Sequence, residues 1–191
     1  IAMRNGMMDI QDKAAAAKKA QITLGSLPAE RKNEALRAMA DALLERREEI
    51  EEANRSDMER AGRESLAAPL VKRLKLQGEK IDQAARGVRA VAELPDPAGK
   101  ILEARRLDEG LSLYRVSCPI GVIGMIFESR PDALVQMASL TLKSGNAVLL
   151  KGGSEAAHTN AVLAEILAEA VEKAGCGVPE GWIALVENRE E

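Results

Sequence analysis

The chain has 191 residues, 46% hydrophobic and 30% charged, and its 27 basic and 30 acidic side chains leave a net charge of −3. That length and apolar content suit one domain or two small ones around a real core, while the balanced charge gives no basic footprint for nucleic acid and no apolar run approaches a membrane span. One Trp, one Tyr and one Phe imply an aliphatic core with no stacking platform for single strands, and one His with two well-separated Cys gives neither a zinc site nor a disulfide framework, consistent with a reducing cytoplasm.

The opening residues, IAMRNGMM, lack the apolar stretch of a secretory signal and read as a variable start. Asp9 and Asp12 form a capping pair before the alanine-rich DKAAAAKKAQITLG, and Gly25 is read as its end. Pro28 stands where a first-turn proline is tolerated. Leu36, Met39, Leu43, Leu44, Ile50 and Ala53 then follow spacings of three and four, predicting one long amphipathic helix. Its charge-rich continuation, Glu45 to Arg63, reads as a solvated face. Two more helices are predicted over Ala67–Leu76 and Glu79–Glu93.

At Leu94 the pattern changes. PDPAGK is a linker, and Ile101–Leu107 with Leu111–Ser117 flank Asp108-Glu109-Gly110 as a β-hairpin. PIGVIGMIF is a continuous apolar run, suited to a strand buried on both faces. Pro131-Asp132 opens a helix closed by Gly145, AVLLK is a second buried strand, and Ser154 is placed to cap a helix ended by Gly175. Trp182–Val186 is a third strand. Strand–helix–strand–helix–strand predicts a parallel sheet with helices packed on it.

Ligands of such sheets bind outside the carboxyl ends of the strands. Two polar loops fall there: Phe127-Glu128-Ser129-Arg130-Pro131 and Lys151-Gly152-Gly153-Ser154-Glu155. Both lead into helix N-termini, which favour anions, so Arg130 and Lys151 outline a phosphate or carboxylate site. The same residues have structural readings. Arg130 can brace a neighbouring helix end, Lys151 can be solvated, and Glu128 and Glu155 can be first-turn carboxylates facing the helix dipole. His158 lies in a first helical turn with no partner acid in view, which favours a surface or capping role over catalysis. Cys118 reads as a small strand hydrophobe and Cys176 as a loop residue. Spacing alone yields a ligand-binding layer without a complete catalytic apparatus.

The segment PIGVIGMIFESRPDALVQMASLTLKSGNAVLLKGGSEAAHTN closely resembles the γ-glutamyl phosphate reductases, also called glutamate-5-semialdehyde dehydrogenases. IFESRPD and SGNAVLLKGGSEA carry the specificity, and EEIEEANRSDMERA and SLAAPLVKRLKL agree. The resemblance implies an aldehyde dehydrogenase-like α/β fold: N-terminal helices, then a parallel Rossmann-like βαβαβ layer with a β-hairpin insertion. Residues 7–99 and 119–191 would form an incomplete cofactor-binding domain, and 100–118 a hairpin of the oligomerisation element. FESRP stands where the superfamily carries its oxyanion-stabilising asparagine, and KGGSE is one residue longer than the usual KPxE.

The implied reaction is the NADPH-dependent conversion of γ-glutamyl phosphate to glutamate-5-semialdehyde and phosphate in proline biosynthesis, in the cytoplasm. Ser129 and Arg130 would meet the substrate. Phe127, Glu128, Lys151, Gly152, Gly153, Ser154 and Glu155 would meet NADP. The catalytic cysteine is expected in a later domain, so the chain is read as the N-terminal part of the enzyme, inactive alone and assembling as a homo-oligomer through the hairpin. The rival reading is a stand-alone binding or interaction module that kept the fold without catalysis.

Overall fold

The computed structural model describes residues 9–186; the IAMRNGMM start lies outside them. The chain opens with five helices, α1 (Ile10–Ser26), α2 (Ala29–Glu45), α3 (Arg47–Arg63), α4 (Ala68–Leu74) and α5 (Glu79–Glu93). A hairpin follows, β1 (Ile101–Asp108) and β2 (Leu111–Val116). The remainder is β3 (Val122–Ile126), α6 (Pro131–Lys143), β4 (Ala147–Lys151), a 3-10 turn (Ser154–Ala156), α7 (Ala157–Ala174) and β5 (Ile183–Leu185). β3, β4 and β5 pair in parallel in that order, with α1 crossing all three.

The single long helix expected over residues 29–63 is two. Arg46 leaves the helical region (φ −99°, ψ 27°), and the bend lets α2 pack on α5 and α7 while α3 follows α7. Pro28 is the residue before α2 rather than a member of its first turn. Asp9 flanks α1 without a side-chain cap, and its backbone carbonyl accepts from the Lys13 N–H instead. Gly25 lies inside α1. Its role is close packing: a Cβ on Gly145 would stand 3.2 Å from the Gly25 Cα and 3.0 Å from Pro119 Cγ. Gly145 itself closes α6 in the left-handed region (φ +75°), with the N–H of Asn146 on the Thr141 carbonyl and its own N–H on Leu142.

The core is aliphatic: Leu36, Met39, Leu43, Ile81, Val88, Leu134, Val148, Leu150, Leu163 and Ile166 are buried together, with Trp182 the one large ring among them. Two lysines are buried beside it. Lys32 pairs with Asp96 at 2.5 Å, and Lys143 donates to Asn33 Oδ1 (2.6 Å) and the Ala92 carbonyl (2.8 Å). Burial holds the Lys143 ammonium below the ordinary lysine range, against the attraction of Asp96. Together they tie the linker after α5 to the core.

Two expectations about strands change. β3 is not buried on both faces: it is one of the two edge strands of the three-stranded sheet, and Ile126 is 87% exposed. An apolar run reports that a face will be covered, not by what, and no described element covers this one. The hairpin turn is two residues, Glu109-Gly110, because Asp108 pairs with Leu111. Ile101, Leu102, Leu113 and Tyr114 are more than half exposed, so the ribbon projects from the body.

Candidate functional site

β3 and β4 end in register, Ile126 opposite Lys151, and the Phe127 N–H donates to the Lys151 carbonyl at 3.0 Å. The two loops expected at strand ends are therefore neighbours. One carboxylate joins them. Glu155 Oε1 accepts from the Ser129 N–H (2.6 Å) and the Ser129 hydroxyl (2.7 Å). Ser129 is buried and adopts φ +44°, a conformation unusual for a side-chain-bearing residue, which these two bonds hold in place. Burial pushes the Glu155 carboxyl up, but the Ser129 hydroxyl, the backbone N–H groups of Glu155 and Ser129, and the Arg60 charge outweigh it, so the group titrates below the ordinary glutamate value.

The glycine pair is explained by the side chains that approach it. A Cβ on Gly152 would fall 2.2 Å from Asn160 Nδ2 and 3.2 Å from Phe127 Cζ; one on Gly153 would fall 2.1 Å from Glu155 Oε1. Phe127 and Lys151 are half-buried, while Glu128 and Ser154 are exposed. Asn160 is buried, and its Oδ1 lacks a donor.

Arg130 is about half exposed and forks onto Asp132 at 2.9 Å, a pairing that raises its pKa. It thus braces the first turn of α6 in this structure. An arriving anion would compete with Asp132 for the guanidinium.

At both helix N-termini some of the N–H groups expected to face an anion already have partners or are missing. In α6, Pro131 has no N–H and the Ala133 N–H goes to the Arg130 carbonyl. In α7, Ser154 makes no side-chain cap. The cap comes from α3, where fully buried Asp57 accepts from the His158 N–H (3.3 Å), the Thr159 N–H (2.8 Å) and the Thr159 hydroxyl (2.7 Å). Asp57 also stands 2.9 Å from His158 Nδ1. So His158 does have a partner acid, 101 residues upstream. Arg60 completes the group, donating to Asp57 at 2.9 Å and to the Ser154 carbonyl at 2.6 Å.

Asp57, Arg60 and Asn160 were not singled out by sequence reasoning. A signal existed for Asp57: Ile50, Asn54, Asp57 and Ala61 follow spacings of four, three and four, and all are buried. The stretch read as a solvated face thus carries a buried stripe, interrupted by two polar residues whose partners are remote.

Neither cysteine lies in the loops. Cys118 is exposed and precedes β3, at the opposite end of that strand from the loops. Cys176 is buried in the core. Among the described residues, no three His, Cys, Asp or Glu side chains are grouped to hold a metal ion.

A parallel three-stranded sheet behind helices, with joined loops at the carboxyl ends of its strands and a projecting hairpin, defines an aldehyde dehydrogenase-type α/β fold. The chain belongs to the aldehyde dehydrogenase family, whose sequence profile matches residues 2–191. Within it, the chain is 54% identical over 184 residues to a γ-glutamyl phosphate reductase of Pelotomaculum thermopropionicum, covering 96% of this chain and 42% of that protein. Crystal structures of γ-glutamyl phosphate reductases superpose closely. The Saccharomyces cerevisiae protein gives a TM-score of 0.90 at 41% identity, over 96% of this chain and 47% of that one. The Thermotoga maritima protein gives 0.91 at 37%, over 95% and 43%. The chain thus spans less than half the length of the relatives it matches.

Proposed function

We propose that this chain is the cofactor-side part of a γ-glutamyl phosphate reductase, which converts γ-glutamyl phosphate and NADPH to glutamate-5-semialdehyde and phosphate in proline biosynthesis. The observation that carries this reading is the Glu155–Ser129 junction, which makes one site of the FESRP and KGGSE loops. Lys151, Gly152, Gly153, Ser154 and Glu155, with Phe127 and Glu128 opposite, would hold the adenosine side of the dinucleotide. The residues fit a ribose: Lys151 and Glu155 are a donor and an acceptor on one loop, and the α7 N–H groups are already committed to Asp57. When bound, the reduced nicotinamide supplies the hydride.

Ser129 and Arg130 would meet the acyl phosphate, where a guanidinium can pair with two phosphate oxygens. The nucleophilic cysteine is assigned to the further length that the relatives carry, since Cys118 and Cys176 both lie away from the loops. Residues 7–99 and 119–191 belong to the cofactor domain, and 100–118 to a hairpin through which subunits associate. No helix among the described residues is long and apolar enough to cross a membrane, and we place the enzyme in the cytoplasm.

The test is phosphate-dependent oxidation of glutamate-5-semialdehyde with NADP, by the chain alone and by the chain produced with the segment that completes its relatives' length. Activity is expected only in the longer protein. Turnover by the 191-residue chain that is abolished by Cys118→Ser would overturn the assignment of the nucleophile; no turnover by the longer protein would overturn the function.

A further inference from the structure

We infer that Asp57 and Arg60, on α3, are the positioning residues of the two-loop site and set its geometry through a relay that ends at Ser129. The inference deepens the proposed function and rests on reading the 127–131 and 151–155 loops as the site.

The relay is continuous. Asp57 is wholly buried and holds the first turn of α7 by accepting from His158 and Thr159. Its neighbour one turn on, Arg60, bonds both Asp57 and the Ser154 carbonyl. The 3-10 turn that begins at Ser154 is thereby clamped between a fixed helix start and a fixed guanidinium. That turn carries Glu155, whose carboxylate bonds the Ser129 N–H and hydroxyl. Ser129 in turn holds a left-handed backbone conformation immediately before Arg130.

Local sequence does not supply these constraints. Ser154 makes no cap for α7, the Gly152-Gly153 pair permits many backbone conformations, and an L-residue at φ +44° prefers to relax. At Ser154 and at Ser129 these freedoms are removed by contacts that trace back to α3. Asp57 accepts from several donors at once, an arrangement an amide cannot reproduce because its NH2 group would face N–H groups. Arg60 reaches both acceptors from a single nitrogen, Nη2, which has two N–H bonds to give.

Neither side chain is needed to touch substrate or cofactor, so their loss should act through the loop. The test follows amide exchange at Ser129 and Glu155 by NMR, with melting temperature, in the 191-residue chain, and NADPH titration in the protein completed to its relatives' length. Arg60→Met should raise Ser129 exchange about tenfold, Glu155→Gln should do the same, and the double variant should be no worse than either alone. Arg60→Lys should recover part of the protection. Asp57→Asn should add loss of protection at His158 and Thr159; if that variant fails to fold, the Arg60 cycle still decides.

A lowered melting temperature in Arg60→Met with Ser129 exchange unchanged, or additive effects in the double variant, would overturn the inference and leave Arg60 a merely structural brace. The NADPH titration separates the two claims. Weaker binding in Arg60→Met, alongside faster Ser129 exchange, supports both. Faster Ser129 exchange in Arg60→Met upholds the relay even if the protein completed to its relatives' length binds no NADPH, a result that would count against the dinucleotide reading.

Discussion

Glu155 and Ser129 are 26 residues apart and meet through a single carboxylate oxygen that accepts both the backbone N–H and the hydroxyl of the serine. Each belongs to a loop at the end of a different parallel strand. The contact converts two adjacent strand ends into one surface, and places a charge-assisted bond where the backbone is least relaxed.

Replacing Glu155 by Ala removes both bonds and leaves the Ser129 conformation unsupported. Hydrogen bonds to a charged group are worth about 1.5–3 kcal/mol, so the variant should lose stability on that scale. For a domain of this size each kcal/mol lowers the melting temperature by about 2–4 °C. Calorimetry of the two proteins checks it, and an unchanged melting temperature would show that the junction contributes nothing.

Because the folded protein holds the Glu155 carboxyl below its ordinary value, its contribution has a definite sign. The stabilisation is complete above the unfolded glutamate value and is lost as pH falls through the lowered folded value. Glu155→Gln should therefore narrow the stability gap to wild type as pH is lowered. Urea midpoints for both proteins, from neutral pH to about pH 3, give the comparison. A gap independent of pH would contradict the assignment.

Arg130 carries the proposed recognition of the acyl phosphate. In the protein completed to its relatives' length, Arg130→Ala should lower kcat/KM for phosphate-dependent oxidation by about ten- to a hundredfold. Arg130→Lys should remain impaired, because it keeps the charge but not the fork. Since Asp132 holds the guanidinium in this structure, a purely bracing role would appear as lost thermal stability with unchanged phosphate dependence.

Gly145 and Gly175 both close helices in the left-handed region, but only Gly145 is crowded. Gly175→Ala should cost about 1–2 kcal/mol, the backbone penalty alone. Gly145→Ala should cost clearly more, because its Cβ would press on Pro119 and on the Gly25 backbone. Equal losses in chemical denaturation would show that α1 can move aside freely.

The hairpin exposes apolar side chains on a two-stranded ribbon, an arrangement with unpaired edges. If subunits associate there, Leu113→Lys combined with Tyr114→Ser should shift the completed protein to a smaller species in light scattering while its helical circular dichroism is retained. Unchanged mass would place the subunit contact elsewhere.

Element order could be read in the sequence because its signals are local. Apolar spacing marked α5, Gly145 and Gly175 marked helix ends, and AVLLK marked β4. The two loops could also be read, since strand ends and polar residues coincide there. What could not be read depends on remote partners. Arg46 breaks a helix whose apolar spacing continues, because α2 and α3 each follow α7. Gly25 is spaced like a terminator but is selected by contact with Gly145. Asp57 looks like one more charge in a charged stretch, and only the arrival of α7 beside it reveals its bonds to His158 and Thr159. The exposure of β3 is a property of its neighbours, which a run of apolar residues does not specify.

The scarcity of rings gives the molecule a built-in optical probe. Trp182 is the one tryptophan, it is buried, and its carbonyl accepts from Val148 at the start of the parallel pairing of β4 with β5. Its emission therefore reports on one corner of the sheet and the stretch of α1 that crosses it, whereas the ellipticity is dominated by the five N-terminal helices taken together. Coincident melting curves by the two signals would mean that sheet and helices unfold as one cooperative unit; separated curves would date the loss of the β4–β5 pairing relative to the helical layer.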